Sequence, residues 1–285
     1  MKLGLALGGG GGRGAALIGV LTELHRLDVH PHLITGTSIG GLTGALYAAG
    51  VDIEGMSAFF RQMHVDNLFA WPKDSWSLVN NKKIEGLLED TIGRPDFSDL
   101  EIPLAVTATD LINHRLVVLD EGDVITAVLA TIALPIILPP VEKDGFVLVD
   151  GGLLNNVPFD IAYARGASHV IAIDITKTSY EEGAKPSTPP SGRLDKILKY
   201  TQRYGAYQVM TGVIDLITEQ SLKTRLALSE PDILIRPDIG TIGLLDFNRM
   251  DEGIEAGKTA VLESEAEIIN LRNHLKQSRD QESER

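Results

Sequence analysis

Leu33-Ile34-Thr35-Gly36-Thr37-Ser38-Ile39-Gly40, followed by GLTGALYAA over residues 41–49, passes from an extended apolar run into small apolar residues at helical spacing. The junction is a Gly-x-Ser-x-Gly pattern centred on Ser38. A serine on a sharp strand-to-helix turn projects its hydroxyl from the backbone, and small residues two before and two after it let neighbouring chain pack close. The helix that starts just beyond contributes the positive end of its dipole. Ser38 is therefore a candidate nucleophile on a parallel α/β sheet. Alone the pattern is weak, because in a chain with 29 glycines a structural turn accounts for it equally well.

Upstream, Lys2–Leu7 reads as a short buried strand, and Ala15–Leu27 has apolar residues at helical spacing. With a strand predicted over Pro31–Thr35, the order is strand, loop, helix, strand, turn, helix, which is how a parallel sheet with helices on its faces begins. The loop between the first strand and helix is Gly8-Gly9-Gly10-Gly11-Gly12-Arg13-Gly14. Consecutive glycines leave backbone N–H groups unshielded, so the loop can cradle an anion, either a tetrahedral oxyanion or a phosphate. Gly9-x-Gly11-x-x-Gly14 also fits a dinucleotide fingerprint, but the next strand runs into Thr35-Gly36-Thr37-Ser38 without the acidic residue that would hold a ribose. A Walker A site fails for want of a Gly-Lys-Ser/Thr step. Arg13 is either a helix-start residue, an orienter of the glycine loop or a contact for a substrate phosphate.

Downstream, residues 103–109 and 115–119 read as strands, 123–134 as a helix stopped by Pro135, Phe146–Val149 as a strand end and 169–175 as a buried strand. Asp150-Gly151-Gly152 follows the strand end. An Asp-Gly step is an ordinary turn, yet an aspartate at the carboxyl edge of a sheet lies where ligand chemistry collects, and it could take the Ser38 proton directly. The seven histidines are His25, His30, His32, His64, His114, His169 and His274. None sits on a loop after a late strand, where a triad histidine belongs. A serine–aspartate dyad is favoured over a triad, with structural roles for all seven. Thr131, in Ala130-Thr131-Ile132-Ala133-Leu134-Pro135, could bond a neighbouring loop.

Aromatic and apolar residues punctuate a helical pattern over 53–71. Core packing is the simpler reading, and a wall over an acyl groove is the functional one. Residues 177–192 hold three prolines and no long apolar run, which predicts a mobile surface loop. Long helices are expected over about 194–221, a late strand over 233–236, and helix from Gly253 into a charged, frayed tail.

Composition bounds these readings. The 285 residues allow one large α/β domain with a short extension. The net charge of −13 argues against non-specific nucleic-acid binding and against electrostatic docking on anionic membrane. There is no cysteine, which excludes disulfides, thiolate metal sites and cysteine nucleophiles. The apolar N-terminal run, Leu3 to Leu7, is too short for a signal-peptide core, and a cytoplasmic protein is the default expectation.

In this order, GGGGGRG, GTSIG, ATIALP and DGG resemble the four blocks of the patatin-like phospholipase family, and LLNNVPFDIAYARGASHVIAID looks like its bacterial members. The resemblance covers about the first 175 residues well and the rest loosely. It departs at Thr131, where the family usually has serine, and at Leu17, where many bacterial members have histidine. It implies a three-layer α/β/α fold with a central mostly parallel sheet. Residues 1–176 would form the catalytic core, 177–192 a mobile loop, and 193–285 a helical part completing or extending the same domain. It further implies Ser38 as nucleophile, Asp150 as general base, and an oxyanion hole from the N–H groups of Gly9, Gly10 and Gly11. The reaction would be lipid ester hydrolysis through an acyl-serine, with no metal and no cofactor. The implied partner is a phospholipid, lysophospholipid or other acyl ester; peripheral contact with a membrane and the oligomeric state stay open. An acyltransferase or thioesterase would use the same dyad, and a non-catalytic regulatory protein could retain the fold.

Overall fold

The computed structural model describes residues 1–63, 81–176 and 203–283. Its centre is an eight-stranded mixed sheet. Leu3–Leu7 (β1) lies between Leu33–Thr37 (β2) and His169–Ile173 (β7), all parallel. Leu104–Asp110 (β3) continues the parallel set beyond β2, and Ile233–Ile235 (β8) beyond β7. Arg115–Leu119 (β4) and Phe146–Asp150 (β6) pair antiparallel with β3, and Val141–Lys143 (β5) pairs antiparallel with β6. The sheet is thus parallel through its middle and antiparallel at one side.

The two-residue alternation of side chains sorts the sheet into two faces. Leu3, Leu5 and Leu7 of β1, with Ile171 and Ile173 of β7, enter the larger core under Ala15–Arg26 (α1) and Ile39–Ala48 (α2). Ala6, Val170 and Ala172 face the other way, onto Phe159–Ala164 (the short helix that follows β6) and Leu222 of a long helix, Arg203–Leu226. Helices therefore cover both faces, as the alternation of strands and helices predicts.

β3 is where the topology makes the site. Thr107 pairs with Thr37 of β2 on one edge and with Val118 of β4 on the other. Ala108 keeps β4 on that second edge, through Val117, but its first edge now pairs with Asp150 of β6. One edge of β3 thus serves β2 as far as Thr107 and β6 from Ala108 onward. β6 runs against β2, so the two strands end facing each other at consecutive residues of β3.

Local sequence explains most boundaries. Ile53–Gln62 (α3) is capped by Asp52, whose carboxylate accepts the Gly55 N–H at 2.7 Å, and its Phe59 and Phe60 are buried in the core. Packing thus accounts for these two aromatics of the 53–71 pattern, and residues 64–71 lie outside the described residues, as does the 177–192 stretch. Asn81–Ile92 (α4) follows, and Asp123 caps Val124–Thr131 (α5) through the Thr126 N–H at 3.0 Å. With Phe159–Ala164 as α6 and Arg203–Leu226 as α7, the chain closes with Met250–Glu263 (α8) and Glu265–Ser283 (α9). The charged end that reads as a frayed tail is helical through Ser283. Its Lys, Glu, Gln and Arg residues are good helix formers, and Arg272 anchors it by donating to Leu27 O at 2.7 Å.

α8 packs on α1 at backbone contact. A Cβ at Gly257 would lie 2.0 Å from Ala16 O, and one at Gly19 2.0 Å from Ile254 O. Gly257→Ala must push the helices apart, so it should destabilise the protein by about 1–3 kcal/mol, as overpacking a close-packed contact does. Urea unfolding checks this; an unchanged midpoint would mean the two helices are not held at this distance.

Candidate active site

The elbow explains why its residues are what they are. Ser38 has φ +55° and ψ −128°, a strained conformation for a residue with a side chain, at the junction of β2 and α2. A Cβ at Gly36 would meet Gly40 O and Gly41 Cα at 2.6 Å each, and one at Gly40 would meet Leu7 O at 2.2 Å. The glycines two before and two after Ser38 therefore let the turn close on itself and against the end of β1. The Ser38 N–H donates to Thr131 Oγ1 at 2.8 Å, and the Thr131 hydroxyl donates onward to Thr107 O at 2.6 Å. Thr131 thus ties the elbow to β3 through a hydroxyl that a serine would equally supply. Its extra methyl lies against Gly41, where a Cβ would come within 2.8 Å. Beneath the elbow, Thr37 donates to Asn155 O at 2.8 Å and so accepts from the Thr107 hydroxyl at 2.6 Å.

Because β2 and β6 meet on β3, Ser38 Oγ donates to Asp150 Oδ2 at 2.5 Å. Asp150 is 3% exposed and Ser38 is half-buried. The other carboxylate oxygen accepts the Gly152 N–H at 2.8 Å, and the Asp150 N–H reaches Ala133 O at 3.0 Å. Gly151 is required by closeness: a Cβ there would lie 2.4 Å from Thr107 O. In Asp-Gly-Gly, the first glycine lets the turn cross β3 and the second supplies an N–H to the carboxylate. Burial pushes the Asp150 carboxyl from near 3.8 up to about 6, against the opposing pull of the Ser38 and Gly152 hydrogen bonds. The group is then mostly ionised at neutral pH yet basic enough to share a proton with an alcohol.

The glycine loop stands opposite. Gly11 has φ +57°, and a Cβ there would lie 2.2 Å from Leu244 O. Of the three glycines expected to offer N–H groups, Gly9 is a correction: its N–H donates to Asn156 O at 3.1 Å and is spent on holding the loop. The N–H groups of Gly10 and Gly11 have no hydrogen-bond partner among the described residues, and both glycines line the same cleft as Ser38 and Asp150. Arg13 does not face that cleft with a free charge. Its guanidinium grips Asp215 of α7 by two parallel bonds, 2.8 and 3.0 Å, and donates to Ile242 O at 3.0 Å.

The cleft's walls are largely aliphatic: Met63, Ile84, Leu134, Leu138, Leu153 and Leu245 among others. Among the described residues no histidine lines it, and no group of three or more His, Asp or Glu is placed to hold a metal ion. His64 lies outside the described residues. Chemically, the arrangement offers an alcohol beside a buried carboxylate, two unspent amide donors and an apolar trough.

A match to the patatin-like phospholipase family spans residues 5–163, more than half of the chain, and contains Ser38, Asp150 and the glycine loop. The chain belongs to the patatin-like phospholipase family. It is 30% identical over 267 residues to an uncharacterized NTE family protein of Mycobacterium tuberculosis, covering 91% of this chain and 46% of that protein. It is 29% identical to the mouse patatin-like phospholipase domain-containing protein 7, covering 89% of this chain and 20% of that one. With lysophospholipase NTE1 of Candida albicans it shares 26% identity, over 90% of this chain and 19% of the yeast protein. The chain thus spans less than half the length of these relatives. Its fold is similar to the crystal structure of VipD from Legionella pneumophila, with a TM-score of 0.58 and 14% identity over 91% of this chain and 66% of VipD.

Asn156 and Asp215 are the site residues that sequence reasoning missed. Asn156 sits in the Asn155-Asn156 step just after the Asp-Gly-Gly turn, a visible but unassigned signal. Asp215 lies mid-helix on a long helix that also carries Glu219, and no local pattern singles it out.

The buried carboxylate has a stability consequence. Its folded-state pKa lies above the ordinary value, so the stability linked to this group is fully present below about pH 4 and is lost as pH rises through about 6. Asp150→Asn keeps the shape and removes the charge. The variant should melt higher than the parent at pH 7.5, by an amount on the order of 1–3 kcal/mol, with the gain vanishing near pH 4. Paired thermal melts at the two pH values measure it; a variant less stable at pH 7.5 would contradict the burial cost.

Proposed function

We propose that this chain is a serine acyl hydrolase that cleaves lipid carboxylic esters, phospholipid or lysophospholipid, through an acyl-serine intermediate. The observation that carries this reading is the 2.5 Å hydrogen bond from Ser38 Oγ to Asp150 Oδ2. It sits at a strained elbow inside a largely apolar cleft that Gly10 and Gly11, whose N–H groups have no partner among the described residues, also line.

Each step has a residue. The acyl chain lies along the aliphatic walls, which places the ester carbonyl over Ser38. Asp150 takes the hydroxyl proton as Ser38 Oγ attacks. The negative charge that develops on the carbonyl oxygen is met by the Gly10 and Gly11 N–H groups, fixed in place before the reaction and therefore reorganising little. The start of α2, immediately after Ser38, adds a positive field. Collapse expels the alcohol, which takes the proton back from Asp150. Water, deprotonated by the same carboxylate, then attacks the acyl-serine; the C–Oγ bond breaks, Asp150 returns the proton to Ser38 Oγ, and the fatty acid is released. The family and the relative named a lysophospholipase support this substrate class. We read contact with a lipid surface as peripheral; among the described residues no helix is long and apolar enough to cross a membrane.

Ser38→Ala should abolish hydrolysis of a p-nitrophenyl acyl ester and of lysophosphatidylcholine, and should block labelling by a fluorophosphonate. Turnover or labelling that survives the substitution would assign the chemistry elsewhere. The base must be ionised, so kcat/KM should rise about tenfold per pH unit below about 6 and level off above it. A pH–rate profile reads this directly, and a limb centred near 7 that vanishes on substituting a histidine would replace the dyad with a triad.

A further inference from the structure

We propose that Asn156 and Asp215 are positioning residues that aim the two oxyanion donors, each by way of the carbonyl of the same peptide unit. The inference rests on the acyl-serine reading above and names what holds the peptide units that carry its amide donors.

Among the described residues the peptide bonds are all trans, and in a trans peptide the C=O and N–H of one unit point in opposite directions. Whatever holds the carbonyl therefore aims the amide. The Gly10 N–H shares its peptide with Gly9 O, and Asn156 Nδ2 donates to Gly9 O at 3.2 Å. The Gly9 N–H in turn donates to Asn156 O, so this one residue holds Gly9 from both sides. The Gly11 N–H shares its peptide with Gly10 O, which accepts the Arg13 N–H at 3.2 Å. Arg13 is therefore the holder of the second unit, and its own place is fixed by Asp215.

That fixation is strong for its size. Arg13 is 2% exposed and Asp215 6%. The two-pronged geometry uses both terminal nitrogens, and the third bond, to Ile242 O, uses Nε. Asp215 thus acts on the glycine loop through Arg13. It also lies on α7, outside the 5–163 span of the family match. The same helix braces the opposite loop: Ser221 Oγ donates to Leu154 O at 2.7 Å and Arg225 Nη2 to the same oxygen at 3.1 Å. One helix so fixes the spacing between the oxyanion loop and the segment that follows Asp150.

The test uses the full chain carrying Asp215→Asn, Asn156→Leu, or the pair Arg13→Met with Asp215→Leu. The pair replaces both charges by apolar residues of similar length, so that folding is not limited by an unpaired buried charge. Four readouts are taken: kcat, KM, the affinity for an alkyl trifluoromethyl ketone, which forms a tetrahedral oxyanion on Ser38, and the affinity for the product fatty acid. We expect kcat and ketone affinity to fall together by about 10–100-fold, with KM and fatty-acid affinity close to wild type. If Asp215→Asn does not fold, the double variant decides. Unchanged kcat in folded variants overturns the proposal, as does a loss in which fatty-acid affinity falls as far as ketone affinity. A wild-type chain that neither hydrolyses the ester nor binds the ketone overturns the acyl-serine reading itself, a result the variants cannot mimic.

Discussion

A single edge of β3 passes from one strand to another between Thr107 and Ala108, and the site is built on that handover. Two strands running towards each other along one edge must stop where they meet, and each stops on a turn. The turn of β2 carries Ser38 and the turn of β6 carries Asp150. Their 2.5 Å contact is then a result of sheet register and does not depend on two flexible loops finding each other. The threonines at the junction confirm how tightly the register is set. Thr107 bonds Thr37, Thr109 donates to Asp150 O at 3.0 Å, and Thr131 bridges Thr107 O to the Ser38 amide. Hydroxyl groups here satisfy the backbone atoms left over where regular pairing changes partner.

The surroundings of Asp150 and of the glycine loop differ in what they ask of the fold. Asp150 sits in low-polarity surroundings that penalise its charge, offset in part by two hydrogen bonds. The glycine loop shows the opposite: the Gly10 and Gly11 N–H groups have no partner among the described residues while the backbone around them is held. Gly12 N–H is tied to Leu244 O at 2.8 Å, Gly9 to Asn156, and Arg13 to Asp215 and Ile242. Residues from the last third of the chain, Asp215, Ile242 and Leu244, therefore hold a loop near its start.

The readable and unreadable parts of this molecule divide by range. β1, β2 and β7 are short apolar runs bounded by glycine or polar residues, and their parallel association follows from the helices between them. Their ends shift slightly: the second strand runs Leu33–Thr37, two residues later than the Pro31–Thr35 reading, because pairing with β3 continues through Thr37. The elbow and the Asp-Gly-Gly turn were legible as local chemistry, since each glycine answers to a nearby backbone. The antiparallel approach of β6 to β3 was not, because strand pairing 40 residues apart leaves no local trace. Gly9 shows the same limit. A glycine run advertises free N–H groups, but which of them is spent depends on Asn156, some 147 residues away.

Thr131 carries one more consequence. Its hydroxyl is held between the Ser38 N–H and Thr107 O, but its methyl occupies the space that a side chain at position 41 would need, with Val106 Cγ1 the next neighbour at 3.2 Å. The two positions are one volume shared between two helices. Across related chains they should drift together, glycine at 41 wherever threonine stands at 131, and alanine tolerated at 41 only where 131 has shrunk to serine.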